Sequence, residues 1–125
     1  LERRELVKLS AKYSENLEVQ AVLRNYKPAI DKPINELSHL YAVREVLSTR
    51  FKGSKNVCAA LNLEESDWSR LGKLCNFIPV QQGRHRGRKY KQLRQATSAE
   101  QEDAKKIVKT MIKQFFEYLE KSENH

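Results

Sequence analysis

Residues 98–119 read SAEQEDAKKIVKTMIKQFFEYL, and this stretch carries the clearest fold signal in the chain. Apolar residues recur there every three or four positions, which is the period of an amphipathic α-helix with one buried face. They are Val108, Met111, Ile112, Phe115, Phe116 and Leu119. Ser98 followed by Gln101 has the spacing of a capping box, and acidic residues occupy the first turn. The sequence therefore predicts a final helix capped by Ser98.

The N-terminal half contains two longer helical patterns with prolines between them. The first pattern changes phase near residues 14–16, which predicts a break or bend there. Pro28 and Pro33 are predicted to bracket a connector, because proline starts or ends a helix more readily than it continues one. A second apolar stripe then predicts a helix that ends at Gly53. Its apolar residues are Ile34, Leu37, Leu40, Tyr41, Leu47 and Phe51.

Two short helices are predicted ahead of the last one. The first covers residues 54–61 with Ser54 as its N-cap, and the second covers residues 65–76. Asn62 between them tolerates positive φ, so the pair has the proportions of a helix-turn-helix. Carboxylates at the start of the second helix oppose its insertion into the major groove of DNA. The inward face of that helix is predicted to hold Trp68, Leu71 and Cys75.

The fold class predicted from these patterns is all-α: a single-domain irregular bundle of five or six helices with a basic loop before the last helix. With 39% hydrophobic and 32% charged residues, the chain is apolar enough to fold around its own core. We expect one helical domain over residues 1–125, as a whole protein or as a piece of a longer one. No apolar run suits a membrane span and no signal peptide is recognisable, so we expect a cytoplasmic location and no membrane partner.

The net positive charge is concentrated in one stretch of sequence. Residues 68–99 contain eight Lys and Arg and no Asp or Glu, which accounts for the whole formal charge of +8. Solubility requires no such concentration, because charge of both signs can be interspersed over a surface. The pattern predicts a binding surface for an anionic partner, with nucleic acid first. The alternative is an ordinary solvated basic loop.

Within that stretch, residues 83–91 read GRHRGRKYK and form the predicted nucleic-acid-binding loop. Arginine forks bind phosphate oxygens in pairs, glycines let backbone N–H groups approach an anion, and a tyrosine ring can stack on a base. The predicted ligands are Arg84, Arg86, Arg88, Lys89, Tyr90, Lys91 and Arg94. We expect RNA before DNA. A row of lysines on the last helix either extends this surface or is a plain solvated face: Lys105, Lys109 and Lys113.

His85 is the histidine placed for acid–base chemistry, since Arg84 and Arg86 flank it and favour its neutral form near pH 7. A neutral imidazole beside a guanidinium can take a proton from a ribose 2′-hydroxyl. A metal-independent RNase with His85 and Arg84 as catalytic residues is therefore the alternative to binding alone, although simple contact with phosphate or water is the favoured interpretation. A third interpretation is a protein-interaction module whose basic loop binds an acidic partner protein.

No cofactor and no metal site are expected. Cys58 and Cys75 each lie among apolar residues, where a reduced cysteine behaves as a small apolar side chain. The two cysteines and three histidines show no paired spacing of the kind that zinc sites use. His39 is expected to be a partly buried structural residue.

Residues 61–87 read LNLEESDWSRLGKLCNFIPVQQGRHRG, and residues 93–108 read LRQATSAEQEDAKKIV. From about residue 34 to 120 the chain resembles a group of uncharacterised bacterial proteins in which W-S-R-L-G-x-L-x-N leads into G-R-H-R-G and a final amphipathic helix. That group is similar to the HEPN domains, helical bundles that act as RNases and RNA-binding modules in toxin–antitoxin, CRISPR and phage-defence systems.

The HEPN catalytic motif is an Arg and a polar residue with a His a few positions further on. Arg84 and His85 resemble its first two positions, but the later His is absent from this sequence. The resemblance therefore implies a non-cleaving RNA-binding or antitoxin-like module. The exception would be a homodimer that brings two copies of His85 to one cleft.

Overall fold

The computed structural model describes residues 3–31, 36–76 and 95–123, and the chain is almost wholly helical there. The helices are α1 (Arg3–Lys12), α2 (Leu17–Asp31), α3 (Glu36–Phe51), α4 (Ser54–Leu61), α5 (Glu65–Asn76) and α6 (Ser98–Glu123). Six helices without a strand in these ranges confirm the predicted all-α bundle in a single domain. None of these helices is both long and apolar enough to cross a lipid bilayer.

α3 lies at the centre of the bundle, where it packs against α2, α4, α5 and α6. A helix with several neighbours buries apolar residues around much of its circumference. Those of α3 are Leu37, Leu40, Tyr41, Val43 and Leu47. Phe51 extends the core toward α6, with its ring edge-on to that of Phe115 and 6.2 Å away. Ile34, the first residue of the predicted stripe, lies outside the described residues.

α6 closes one side of the bundle along its 26 residues. All six apolar residues predicted on its inner face are buried. Phe116 packs on Tyr13 with 5.9 Å between ring centroids, and Lys12 Nζ lies 2.8 Å from a carboxylate oxygen of Glu120. The C-terminal half of α6 therefore holds the end of α1 against the bundle.

The predicted break in the N-terminal pattern is confirmed, because α1 ends at Lys12 and α2 begins at Leu17. Asn16 caps α2: its Oδ1 accepts a hydrogen bond from the N–H of Val19 at 3.0 Å. An N-cap side chain of this kind satisfies one of the N–H groups that the first turn of a helix leaves without a partner.

Pro28 lies inside α2, so the prediction that it begins a connector is wrong. Proline removes one backbone hydrogen bond and crowds the preceding turn of a helix. Packing against α3 outweighs this cost, because Tyr26 and Ala29 are buried on either side of the proline. α2 therefore continues to Asp31, while Pro33 lies outside the described residues.

The turns on either side of α4 agree with the sequence except at its N-cap. The chain leaves α3 through Lys52 at φ 62° and Gly53 at φ 125°, the second of which favours glycine, and the N–H of Gly53 donates to the carbonyl of Ser48 at 2.9 Å. Asn62 ends α4 at φ 54° and ψ 50°, as its tolerance of positive φ predicted. Gly53 also occupies the N-cap position that was predicted for Ser54, because the turn after α3 leads directly into α4.

The capping box of α6 lies one residue earlier than predicted. Thr97, not Ser98, is the cap: its Oγ1 accepts from the N–H of Glu100 at 3.0 Å, and Glu100 Oε1 accepts from the N–H of Thr97 at 2.9 Å. Gln101 instead donates from its side-chain amide to the carbonyl of Ala96 at 3.0 Å. A threonine–glutamate pair satisfies two N–H groups reciprocally, which explains the shift.

Candidate functional site

The predicted nucleic-acid ligands and the predicted catalytic pair all lie outside the described residues. They are Arg84, His85, Arg86, Arg88, Lys89, Tyr90, Lys91 and Arg94. All belong to residues 77–94, which join the end of α5 at Asn76 to Gln95 ahead of α6. α5 and α6 pack against each other. The part of the candidate site that the structure describes is therefore the surface of α5 and α6 next to the two ends of residues 77–94.

Arg70, the first cation of the basic stretch, is paired with carboxylates. Its Nε and Nη2 donate to the two carboxylate oxygens of Asp103 on α6, at 2.7 and 3.0 Å. Asp67 on the same helix lies 3.1 Å from Nη2. The hydrogen bond to Asp103 raises the pKa of Arg70 and holds the pKa of Asp103 below its ordinary value. A count along the sequence thus includes a guanidinium that is already paired, because Asp103 is distant in sequence but adjacent in space.

Lys105 on α6 forms an ion pair with a buried residue and is therefore not part of the predicted row of surface lysines. Its Nζ lies 3.3 Å from Oε2 of Glu36, a side chain that is fully buried at the start of α3. The contact is an ion pair without hydrogen-bond geometry at either carboxylate oxygen. Lys109 and Lys113 are exposed and remain the available members of the predicted row.

The helix-turn-helix proportions of α4 and α5 are present, with Asn62 in the left-handed turn between them. The N–H of Leu63 closes the turn by donating to the carbonyl of Cys58 at 2.9 Å. Glu64 and Glu65 are exposed at the start of α5. A recognition helix normally presents that end to base edges and phosphates, so the carboxylates oppose groove insertion by α5. On its inner side, α5 buries three residues as predicted: Trp68, Leu71 and Cys75.

A guanidinium that the sequence analysis missed lies between α3 and α5. Arg44 is half-buried, with its Cζ 4.3 Å from the centroid of the Trp68 ring. Its Nε donates to the backbone carbonyl of Trp68 at 3.2 Å. One turn later on α5, a Cβ in place of the hydrogen of Gly72 would come within 2.8 Å of Nη2. The sequence shows that Trp68 and Gly72 are four residues apart, which places them on one side of a helix. It does not show their partner, because Arg44 is 24 residues before Trp68.

The cysteines are structural in the way that their apolar neighbours predicted. Both are free and buried, and burial raises the pKa of Cys75 to about 12. Burial, with a smaller contribution from the nearby carboxylate of Glu65, also raises the pKa of Cys58. His39 is half-buried, as expected. Within the three described ranges, no group of three or more His, Cys, Asp or Glu could hold a metal ion.

The described surface includes a groove and a cleft. A shallow groove of about 700 Å³ runs between α2 and α3, and Arg50 pairs with Glu18 at 3.3 Å on its rim. A cleft of about 90 Å³ lies between the start of α5 and α6, with Trp68 and Met111 among its lining residues. Neither lining contains a histidine or a cysteine.

Three cations on α3 and α5 thus differ in the groups that surround them. Arg70 is neutralised by two carboxylates, Arg44 is stacked on Trp68, and Lys73 is exposed on α5. Comparisons of the chain with protein-family models, curated proteins and solved structures gave no match.

Proposed function

We propose that this chain is a cytoplasmic nucleic-acid-binding module that holds single-stranded RNA in preference to DNA through the loop between α5 and α6. One observation carries the proposal: residues 77–94 contain six Lys and Arg and no Asp or Glu. Basic groups that meet phosphates release the cations condensed on a nucleic acid, and this release is a large part of the binding free energy. A segment with six such groups is suited to a run of phosphates.

The charge of the surrounding helices supports this assignment. Residues outside 68–99 carry 16 basic and 16 acidic groups. Several of them pair between helices, as Lys12 does with Glu120 and Arg50 with Glu18. Arg70 is likewise compensated by Asp103. Of the eight basic groups in residues 68–99, six therefore lie in residues 77–94 and one is the exposed Lys73 of α5.

The preference for single-stranded RNA rests on two features. Tyr90 lies among the cations of the loop, and an aromatic ring stacks on bases that are already free of a duplex. Duplex DNA would be read most simply by α5, but the exposed carboxylates of Glu64 and Glu65 stand where phosphates would approach. The resemblance to HEPN domains points to the same ligand, and it suggests a setting in a toxin–antitoxin or phage-defence system.

A matched pair of triple variants tests the proposal. In the loop variant, Arg84, Arg86 and Arg88 are each replaced by Gln. In the control, the exposed Arg3, Arg4 and Arg24 of α1 and α2 are replaced in the same way, so both variants lose three charges.

Binding is measured by the fluorescence anisotropy of a labelled single-stranded RNA and of the DNA with the same sequence. We expect the loop variant to lose most of its RNA affinity and the control to keep most of it, with RNA bound more tightly than DNA. Equal losses in the two variants, or no binding by the unmodified protein, would reject the proposal.

A further inference from the structure

We infer that Arg44 is a further phosphate ligand of the RNA-binding surface, held in place by Trp68 and Gly72 of α5. The inference rests on the proposed function, because it adds a contact for the same ligand. It concerns a residue of α3 that lies far from the basic stretch in sequence, so it would not be found by following the charge along the chain.

The guanidinium of Arg44 is fixed before any ligand arrives. Its Cζ lies 4.3 Å from the ring centroid of Trp68 and 5.5 Å from that of Tyr41, both within the range of cation–π attraction. The hydrogen bond from Nε to the carbonyl of Trp68, at 3.2 Å, sets the direction of the planar fork. A fork oriented in this way loses little conformational freedom when it binds a phosphate in bidentate fashion.

The same guanidinium has no carboxylate partner among the described residues, in contrast to Arg50 and Arg70. Burial lowers the pKa of Arg44, and the nearby Tyr41 and Glu45 partly counteract this. An arginine nevertheless remains protonated in a protein. A half-buried cation of this kind has given up part of its hydration without gaining a counter-ion from the described helices. An incoming phosphate oxygen would therefore be attracted more strongly than by a fully hydrated surface lysine.

Gly72 determines where the fork lies. A methyl group at this position would come within 2.8 Å of Nη2 and 2.9 Å of Cζ, so the arginine would have to move aside. Gly72 is four residues before Asn76, the last residue of α5, which corresponds to about 6 Å along the helix. Lys73, the next residue, is exposed and supplies a second positive charge on the same part of α5. The fork thus lies within one or two helical turns of the end of α5.

The fluorescence emission of Trp68 reports directly on the surroundings of Arg44, because Trp68 is the only tryptophan in the chain. Unlabelled single-stranded RNA is titrated into the protein while Trp68 emission is followed, and affinity is measured separately by anisotropy of a labelled RNA. We expect the emission to change with the same midpoint as the anisotropy. In Arg44→Met the anisotropy change should persist and the emission change should shrink.

The Gly72→Ala variant separates a binding role from a structural one. It keeps the arginine and its charge but displaces the fork, and alanine favours a helix more than glycine does. We expect a cooperative thermal transition in Gly72→Ala. In both variants, the plot of log K against log salt should be less steep by about 0.7, the value for one contact to a single strand.

RNA binding with the unmodified slope in Arg44→Met and Gly72→Ala would overturn the inference while leaving the proposed function intact. Absence of RNA binding by the unmodified protein would overturn both.

Discussion

The carboxylate of Asp103 on α6 accepts two hydrogen bonds from the guanidinium of Arg70 on α5, at 2.7 and 3.0 Å. This pair joins the two helices that are connected by the basic loop. Both side chains are more than a third exposed, so water screens their attraction and the pair contributes modestly to stability. Its main consequences are for the charge of the site and for the response to acid.

The first prediction concerns acid pH. Arg70 holds the pKa of Asp103 below the ordinary value of 3.8, so the carboxylate is favoured in the folded state. The resulting stability is present above that ordinary pKa and is lost as pH falls through the depressed value, in the window below about pH 4. Asp103→Asn should therefore have a flatter dependence of unfolding free energy on pH in this window, measured by urea denaturation. The same slope in Asp103→Asn and in the control Glu102→Gln would contradict this account.

The second prediction concerns Trp68, which is 3% exposed. Trp68→Ala should destabilise the protein by about 3 to 5 kcal/mol, because a large buried ring leaves a cavity when it is removed. Trp68→Phe should cost less, since it keeps an aromatic ring in the core. Trp68 emission in the folded protein should be blue-shifted and should move to the red on denaturation. Emission typical of indole in water in both states would show that α5 packs differently.

The third prediction concerns the ion pair between Lys105 and the fully buried Glu36. Lys105→Met leaves a buried carboxylate without its cation and should destabilise the fold by about 2 to 4 kcal/mol, a figure reduced for the partial exposure of the lysine. The double variant Glu36→Met/Lys105→Met should recover much of that loss, because no buried charge remains. Lys109→Met, at an exposed position one turn further on, is the control. Additive losses in the double variant would show that the two side chains are not coupled.

The fourth prediction concerns catalysis. We expect no robust RNase activity, because the chain offers His85 as a single general base and no second histidine beside it to protonate the leaving oxygen. The assay incubates pure protein with a labelled single-stranded RNA in EDTA, with His85→Ala in parallel. Intact RNA that shifts on a native gel supports a binding module. Cleavage that disappears in His85→Ala would instead establish the metal-independent RNase.

Much of the fold was predictable because its signals are local. Helical periodicity located α4 and α5 within the same bounds that the structure has, and the positive φ of Asn62 followed from its side chain. Pro28 was misjudged because burial of its neighbours against another helix outweighs the local preference of proline. Thr97 was overlooked because two adjacent residues both suit the N-cap, and only the hydrogen bonds distinguish them.

The candidate site was less predictable, since its main relationships join residues far apart in sequence. Arg70 and Asp103 are separated by 33 positions, and Arg44 and Trp68 by 24. Composition alone identified a concentration of positive charge. It could not tell that Arg70 is compensated across two helices, or that Arg44 from a different helix lies against α5.

The fifth prediction tests the central claim most directly: the salt dependence of binding to a single-stranded RNA. If most of the six basic groups in residues 77–94 meet phosphates, log K should fall against log salt with a slope of roughly −4 to −5, at about 0.7 to 0.9 per contact. Replacing Arg84, Arg86 and Arg88 together by Gln should flatten the slope by about two to three. Arg70→Gln should leave it nearly unchanged, because Asp103 already neutralises that guanidinium. A slope near zero in the unmodified protein, or an unaltered slope in the triple variant, would contradict the assignment of RNA binding to this loop.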